Sequence, residues 1–423
     1  MRLLRLVWFL GSAALAFAQP PKIGACSVFP ADNVWNTPVD TLPVSPQSAT
    51  YVATIGANSP THADFGSGTY NGAPIGIPWI QVPGTQTKYP ATFQYADESD
   101  PGPYAIPLSA PIEGGSASTG DRHAIAVDGD HCVLYELYAA YPQAASWQAG
   151  SGAIFDLASN ALRPATWTSA DAAGLPVQPG LARYEEVAAG AIHHALRFTV
   201  PQTQKAYIWP ARHYASSLTD PKYPPMGQRF RLKASFDITP YPADVQVILV
   251  ALKKYGMILA DNGSAWYISG APDPGWNNND LSTMRNIPGS AYEAVDESSL
   301  LIDPNSGQAR QSGVAVAVAP PSASVYLTDT QAFTATVQNA TDPSVTWSVN
   351  GMIGGNQTVG TIDVNGVYTA PWVVPVPAAV TIAATSVAAP AASATATVTI
   401  QARAPAPVTP APGKTRLRRW RPQ

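Results

Sequence analysis

The sequence predicts a mainly β protein, in which a large sandwich-like domain with one or two helices precedes a small β-sandwich. Charged residues make up 12% of the 423 residues, about half of the ~25% that is typical of soluble proteins. Proline occurs 42 times, roughly twice the usual ~5%. Short apolar runs alternate with turns rich in Gly, Pro, Asn and Asp. This combination favours strands and turns, and it argues against coiled coils and helical bundles.

The first 18 residues have the pattern of a signal peptide. Arg2 and Arg5 precede an apolar stretch over residues 6–15, and Ala16-Phe17-Ala18 matches a cleavage site. The apolar stretch is too short to span a bilayer, and no later segment has 18 consecutive apolar residues. We therefore expect a secreted protein, extracellular or periplasmic, without a transmembrane anchor.

The charges are distributed unevenly, although the formal net charge is only −4. The segment 403–423 contains only basic charged residues, whereas the acidic residues outnumber the basic ones between the leader and this tail. An acidic body argues against nucleic acid as a partner. The Ala/Pro-rich basic tail is expected to be disordered and to make at most a weak contact with an anionic envelope polymer.

The two cysteines, Cys26 and Cys132, leave two interpretations open. An even number of cysteines in an exported protein indicates one disulfide, and the alternative is two unrelated thiols. Their spacing matches no metal-binding motif. The adjacent histidines His193 and His194 do not have the H-E-x-x-H spacing of a zinc site. The sequence also contains no P-loop, C-x-x-C, EF-hand or G-x-S-x-G motif. We expect no metal and no cofactor.

Residues 19–310 are interpreted as one β-rich domain, which we expect to be the catalytic one. The apolar residues Val245, Ile248, Leu249 and Leu252 have helical spacing, and Gly256 provides a stop signal. Several segments resemble a group of uncharacterised exported bacterial proteins, which implies no activity. They are Gly120-Asp121-Arg122-His123, Leu134-Tyr135-Glu136, the segments 168–176 and 183–190, and His194-Ala195-Leu196-Arg197-Phe198.

Residues 311–402 form a second predicted domain, because charge almost disappears and apolar residues alternate with polar ones. This pattern predicts an Ig-like β-sandwich. The segments 333–337, 345–351, 360–362 and 366–371 resemble a bacterial Ig-like (Big-type) domain. The resemblance implies a spacer or adhesion module rather than a catalytic one.

A hairpin between residues 123 and 138 supplies the first candidate site. A loop at Asp128-Gly129 places Asp121 opposite Glu136, and a loop at Gly129-Asp130 places His123 opposite Glu136. Both registers put all three ionisable groups on one face. They could serve acid–base catalysis in a cleft that solvent reaches, or they could form a structural salt bridge.

A strand predicted over residues 191–200 supplies the second candidate. His194 lies in its apolar row, whereas His193 and Arg197 share the other face. Glu186, in a short helical turn, could reach back to His194. A histidine in an apolar row is also typical of a hydrogen-bonded core residue, so both interpretations remain open.

Aromatic and arginine side chains supply candidate substrate contacts. Tryptophan rings stack well on sugar rings, and the planar guanidinium fork binds carboxylates. The candidates are Trp147, Trp167, Trp266, Trp276, Arg122, Arg197 and Arg212, with a buried core position as the alternative for most of the tryptophans.

Together these features predict an exported enzyme that acts on a polysaccharide. Hydrolysis of a glycosidic bond is favoured over a lyase reaction, because acids outnumber bases in the hairpin cluster. The alternative is a non-enzymatic protein of the cell surface or extracellular space that binds glycans or mediates adhesion.

Overall fold

The computed structural model describes residues 20–311, 314–338, 340, 342–390 and 392–403. The described chain forms two compact units, residues 20–311 and residues 314–338 with 344–403. Both are built mainly from strands, which confirms the predicted fold class. The predicted signal peptide and all of the basic tail except Arg403 lie outside the described residues. No helix in the described part of the chain has the length and apolarity needed to cross a membrane.

The first unit contains seventeen strands and four helices among its described residues. The strands are β1 Lys22–Ile23, β2 Cys26–Ser27, β3 His62–Asp64, β4 Thr69–Tyr70, β5 Ala73–Pro74, β6 Ile80–Val82, β7 Ala91–Phe93, β8 Ala124–Asp128, β9 Val133–Tyr138, β10 Tyr141–Pro142, β11 Trp147–Ala149, β12 Ser151–Asp156, β13 Leu196–Val200, β14 Arg229–Leu232, β15 Met257–Asn262, β16 Tyr267–Ser269 and β17 Tyr292–Ala294. The helices are α1 Ser48–Ile55, α2 Tyr184–Ala188, α3 Ala243–Lys254 and α4 Asn278–Ser282.

Two sheets organise this unit. A six-stranded mixed sheet has the order β17-β14-β15-β13-β16-β3, and a four-stranded sheet has the order β12-β9-β8-β6. One face of the four-stranded sheet, with Ile125 and Leu134, joins the core that also contains Phe198 and Phe230 of the six-stranded sheet. Its other face packs on a second core around Trp147. Strand β3 lies at one edge of the six-stranded sheet.

Helix α3 forms where the apolar spacing predicts it. Val245, Ile248, Leu249 and Leu252 are all fully buried. Gly256 follows the helix at a φ of +67°, where an added Cβ would approach the carbonyl oxygen of Phe230 to 2.3 Å. The expectation of one or two helices is wrong, because α1, α2 and α4 also form. These three helices have only five to eight residues, too few to show a helical period clearly.

The β8–β9 hairpin has a different register from either of the two expected. Ile125, not Asp121 or His123, lies opposite Glu136, and the loop contains four residues, 129–132. The Asp128 carboxylate accepts hydrogen bonds from the backbone N–H groups of Asp130 and His131, which widens the turn. A loop of four residues instead of two shifts the pairing by an even number of residues, so each side chain stays on the same face of the hairpin. The predicted apolar face, with Ile125, Val127 and Leu134, is therefore correct.

The second unit is a β-sandwich with eleven described strands. They are β18 Ala315–Ala319, β19 Ser322–Tyr326, β20 Thr330–Ala332, β21 Thr334–Gln338, β22 Val345–Val349, β23 Met352–Ile353, β24 Gly355–Asn356, β25 Gly360–Ile362, β26 Val367–Thr369, β27 Ala379–Ser386 and β28 Ser393–Gln401. The sheets have the orders β19-β28-β27-β22-β23, β20-β26-β25-β24 and β18-β21. Phe333, Trp347 and Tyr368 lie in its core, and β28 buries alternate residues, as the sequence pattern predicts.

A disulfide between Cys26 and Cys132 links the β1–β2 hairpin to the loop between β8 and β9. The two Cα atoms lie 5.4 Å apart, and the residues are separated by 106 positions. Of the two interpretations that the sequence leaves open, the structure adopts the disulfide. In the chain-entropy model a loop of this size restricts the unfolded chain strongly, with a stabilisation of up to about 4.7 kcal/mol.

Replacing both cysteines by serine is expected to lower the free energy of unfolding by about 2–5 kcal/mol. Denaturant unfolding of the double variant beside the wild-type protein measures this difference. Peptide mapping of the unreduced wild-type protein provides the control, and it should show the two cysteine peptides joined. Two thiols that alkylate in the folded protein would contradict the disulfide.

Candidate active site

A cleft of about 630 Å³ lies beside the edge strand β3 of the six-stranded sheet. Strand β3 runs parallel to β16, with His62 opposite Tyr267 and Asp64 opposite Ser269. Side chains two residues apart in a strand share a face. His62 and Asp64 therefore both line this cleft, which we call the first cleft.

Aromatic rings form part of the wall of the first cleft. The rings of His62 and Tyr267 stack with centroids 4.2 Å apart. Tyr70 also lines the cleft, and 72% of its surface is exposed. Sugar rings pack well on such aromatic faces. Burial, and then the guanidinium of Arg285, lower the pKa of His62 below its usual value, which favours a neutral imidazole.

Two carboxyl groups, those of Asp64 and Glu113, also face the first cleft. Burial raises the pKa of Asp64, and the Glu113 carboxylate raises it further, against the opposing effect of Arg197. Burial also acts to raise the pKa of Glu113 and is the largest single effect, but the charge of His123, its hydrogen bonds and the charge of Arg197 together outweigh burial and hold that pKa below its usual value. One carboxyl group is thus a weaker acid than an ordinary aspartate, and its neighbour is a stronger acid than an ordinary glutamate.

His123 supports Glu113 from behind the cleft wall. Its Nδ1 lies 2.5 Å from Glu113 Oε2, and its Nε2 lies 2.8 Å from the carbonyl oxygen of Ala170. Both partners are acceptors, so the imidazole satisfies both only when it carries a proton on each nitrogen. Burial lowers the pKa of His123, but the Glu113 carboxylate outweighs burial and raises it to about 9.

Arg122 holds the loop that carries Glu113. Its guanidinium donates to the carbonyl oxygens of Ser116 and Ser118, at 2.8 and 2.9 Å, and to that of Ala140. The side chain is buried and lies 4.1 Å from the ring centre of Tyr141. The prediction that Arg122 binds substrate is therefore wrong, because backbone carbonyl groups of its own fold occupy its donors.

A second buried ion pair lies behind Asp64. Arg197 donates to both carboxylate oxygens of Asp171, at 3.0 and 3.1 Å, and to the hydroxyl of Ser269 at 2.7 Å. The predicted pairing of Arg197 with His193 is wrong, because only residues from Leu196 onward form the strand and His193 packs against Tyr255 instead. Arg197 links β13 to the strand that pairs with β3, and it is not free to bind substrate.

A second cleft, of about 280 Å³, lies near the other partner of His123. Ala170 lines it together with the four acidic residues Glu98, Asp121, Asp171 and Asp261. Burial and the Asp171 carboxylate raise the pKa of Asp261 to about 7. Of the three hairpin residues predicted to line a solvent-accessible cleft, Asp121 does so, whereas His123 and Glu136 are almost completely buried.

Glu136 has a structural environment instead. Its carboxylate accepts hydrogen bonds from the backbone N–H groups of Val177 and Gln178, at 2.9–3.0 Å. Burial raises its pKa to about 7, although these donors act in the opposite direction. With no exposed surface, Glu136 has no access to a substrate, so the prediction that it acts as a catalytic acid or base is wrong.

His194 and Glu186 form a buried pair, as one of the two interpretations of the sequence describes. Glu186 Oε2 lies 3.1 Å from His194 Nε2, and His194 Nδ1 lies 2.8 Å from the carbonyl oxygen of Ala195. Arg183 also donates to Glu186. His194 is fully buried and lines neither cleft, so a structural role replaces the predicted catalytic one.

The predicted tryptophan platforms are buried or lie outside both clefts. The indole N–H groups of Trp147, Trp266 and Trp276 donate to the backbone carbonyl groups of Ile106, Gly56 and Ala271. Trp167 is half-buried beside the guanidinium of Arg163. Arg212 is buried and donates to the carbonyl groups of Arg163 and Pro304. For Trp147, Trp266, Trp276 and Arg212 the predicted substrate contact is wrong, because these side chains are buried and pack within the fold. The substrate contact of the half-buried Trp167 stays a prediction.

None of the residues that line the first cleft was among the candidates predicted from the sequence. His62 and Asp64 have the i, i+2 spacing of one strand face, which was an available signal. Glu113 lies in a proline-rich loop without any period, and only the folded chain shows that it meets His123. The described residues contain no group of three or more potential ligands arranged to hold a metal ion.

Comparison with known proteins identifies no family for this chain. No protein-family model matches the sequence, and no curated protein shows significant similarity to it. Any assignment of function therefore depends on the geometry of the clefts.

Proposed function

We propose that this protein is an exported enzyme that hydrolyses a glycosidic bond in a polysaccharide, with Asp64 and Glu113 as its catalytic residues. The observation that carries the proposal is that two carboxyl groups in one cleft have pKa values shifted in opposite directions. Such a pair supplies an acid and a base at the same pH. The rings of Tyr70, His62 and Tyr267 offer surfaces on which sugars stack.

In this mechanism Asp64 is the general acid. It transfers its proton to the glycosidic oxygen as the bond from that oxygen to the anomeric carbon breaks. Glu113 either attacks the anomeric carbon or removes a proton from the attacking water, and the separation of the two carboxyl groups decides between these routes. His123 does not touch substrate and is a positioning residue. Its positive charge keeps Glu113 ionised, and its hydrogen bond fixes one carboxylate oxygen.

The supporting features outside the cleft are those of an exported, modular protein. The signal peptide pattern indicates secretion, and the second unit fits a spacer of the Big-type that its sequence resembles. The first unit then carries the catalytic function. A glycan-binding protein without turnover is the non-enzymatic alternative, and the assay below separates the two.

A lyase reaction is the second candidate, because one observation favours it. His62, whose pKa is lowered, lies beside the guanidinium of Arg285 in the first cleft. A lyase needs a neutral base to remove the proton next to a uronate carboxylate and a cation to balance the developing charge. Unsaturated products would distinguish this reaction from hydrolysis.

Replacing Glu113 by Gln or Asp64 by Asn is expected to lower turnover about 10²–10⁴-fold, the usual contribution of acid–base catalysis. The assay incubates the full chain with a panel of polysaccharides and records both new reducing ends and the absorbance of unsaturated products. Asp97→Asn is the matched control, because Asp97 is exposed and lines neither cleft. Wild-type turnover in both variants would contradict the assignment, and unsaturated products would favour the lyase.

Replacing His123 by Gln is expected to move the acidic limb of the pH–rate profile to higher pH. The acidic limb reports protonation of Glu113, whose pKa is held down by the charge of His123. Without that charge the pKa of Glu113 rises, so activity is lost earlier as the pH falls. His131→Gln is the control, because His131 also pairs with a carboxylate, that of Asp128, but is exposed. An unchanged acidic limb in the folded His123→Gln variant would refute the positioning role.

A further inference from the structure

Arg285 brings a guanidinium group to the first cleft without using it inside the fold. It lies in the 3-10 helix Thr283–Asn286, which follows α4 and packs against β3. The side chain is exposed and lines the cleft. Within the described part of the chain, Arg285 makes no salt bridge and no side-chain hydrogen bond. Its donors are therefore available to a ligand.

This availability separates Arg285 from the arginines that the sequence suggested. Arg122, Arg197 and Arg212 are buried and donate to acceptors of the protein. Among the residues that line the first cleft, there is no lysine and no second arginine. An anionic group that enters this cleft can therefore bind one guanidinium among the lining residues, that of Arg285.

The other charges of the first cleft leave that guanidinium largely uncompensated. The Glu113 carboxylate is neutralised by His123, at 2.5 Å. Asp64 is the other acidic residue among those that line the first cleft. The lining thus combines a carboxylate already paired with His123, the carboxyl group of Asp64 and one guanidinium without a salt bridge to the described residues, which a ligand carboxylate can approach.

The guanidinium also lies beside the stacked rings of the cleft. Arg285 and His62 line the same cleft on two elements that pack together, and the guanidinium charge contributes to the lowered pKa of His62. His62 in turn stacks on Tyr267. A sugar placed on this ring pair can point a substituent at Arg285. A planar carboxylate matches the guanidinium fork, which can bind both of its oxygens at once.

We propose that Arg285 and the His62–Tyr267 ring pair bind a uronic acid residue, so that the substrate of the first cleft is an acidic polysaccharide. The inference rests on the proposed function, because it assumes that the cleft binds a polysaccharide. It holds for a hydrolase and for a lyase alike, since both must bind the sugar before the reaction.

Binding of uronic acid hexamers to the full-length Glu113→Gln chain tests this proposal. The probes are hexamers of galacturonate, glucuronate and mannuronate, each beside its carboxyl-reduced neutral counterpart, and calorimetry measures the dissociation constants. We expect at least one acidic hexamer to bind about tenfold or more tightly than its reduced form, since a hydrogen bond to a charged group contributes about 1.5–3 kcal/mol. Asp64→Asn is the second background, should Glu113→Gln not fold.

Arg285→Gln, introduced into the same background, should remove the preference for the acidic hexamer. Its affinity for the reduced hexamer should not change. Arg310→Gln is the matched control, since Arg310 is exposed and lies outside the first cleft. Tyr70→Ala should weaken both hexamers equally, because stacking does not depend on the carboxylate.

The proposal is overturned if no uronate hexamer binds, if carboxyl reduction leaves the affinity unchanged, or if Arg285→Gln retains the preference. Binding of a sulfated neutral glycan in place of every uronate would also overturn it. Arg285-dependent binding without turnover would refute the proposed enzyme while leaving this inference intact. If the protein hydrolyses a neutral polysaccharide and Arg285→Gln does not change that hydrolysis, the proposed enzyme is supported and this inference is refuted.

Discussion

The buried ion pair between Glu113 and His123 is the interaction on which this site depends. Glu113 comes from a long loop without regular structure, and His123 directly precedes β8. His123 also donates to Ala170, so one imidazolium joins three separate segments. Removing one partner of a buried pair leaves an uncompensated charge, at a cost of about 3–5 kcal/mol. The loop geometry and the charge of the Glu113 carboxylate are therefore determined by the same contact.

The Asp171–Arg197 pair repeats this arrangement nearby. Arg197 connects Asp171, in the wall of the second cleft, to Ser269, which lies opposite Asp64 in the first. Charged groups that are held by several hydrogen bonds between two clefts keep a fixed orientation. The buried charges of His123, Arg197 and Asp171 thus hold neighbouring groups in place. Asp64, Glu113 and Arg285 face the first cleft.

The sequence predicts those features that depend on local periodicity or on composition. Helix α3, the alternation in β28 and the apolar face of the β8–β9 hairpin all follow from spacing. The hairpin register does not, because a side-chain hydrogen bond of Asp128 lengthens the loop. The contact between Glu113 and His123 could not be predicted either, because the loop that carries Glu113 has no periodic pattern. Burial reverses the expected roles of the tryptophans, whose N–H groups find backbone acceptors inside the core.

The opposite pKa shifts of the two carboxyl groups are the central claim, and carboxyl ¹³C NMR measures them most directly. Side chains labelled at the carboxyl carbon are titrated in the full chain, and the Asp64→Asn and Glu113→Gln variants assign the two signals. We predict that Glu113 titrates below the ordinary glutamate value of 4.5 and Asp64 above the ordinary aspartate value of 3.8. A Glu113 that titrates at or above its ordinary value, or an Asp64 that titrates at or below its own, would contradict this prediction.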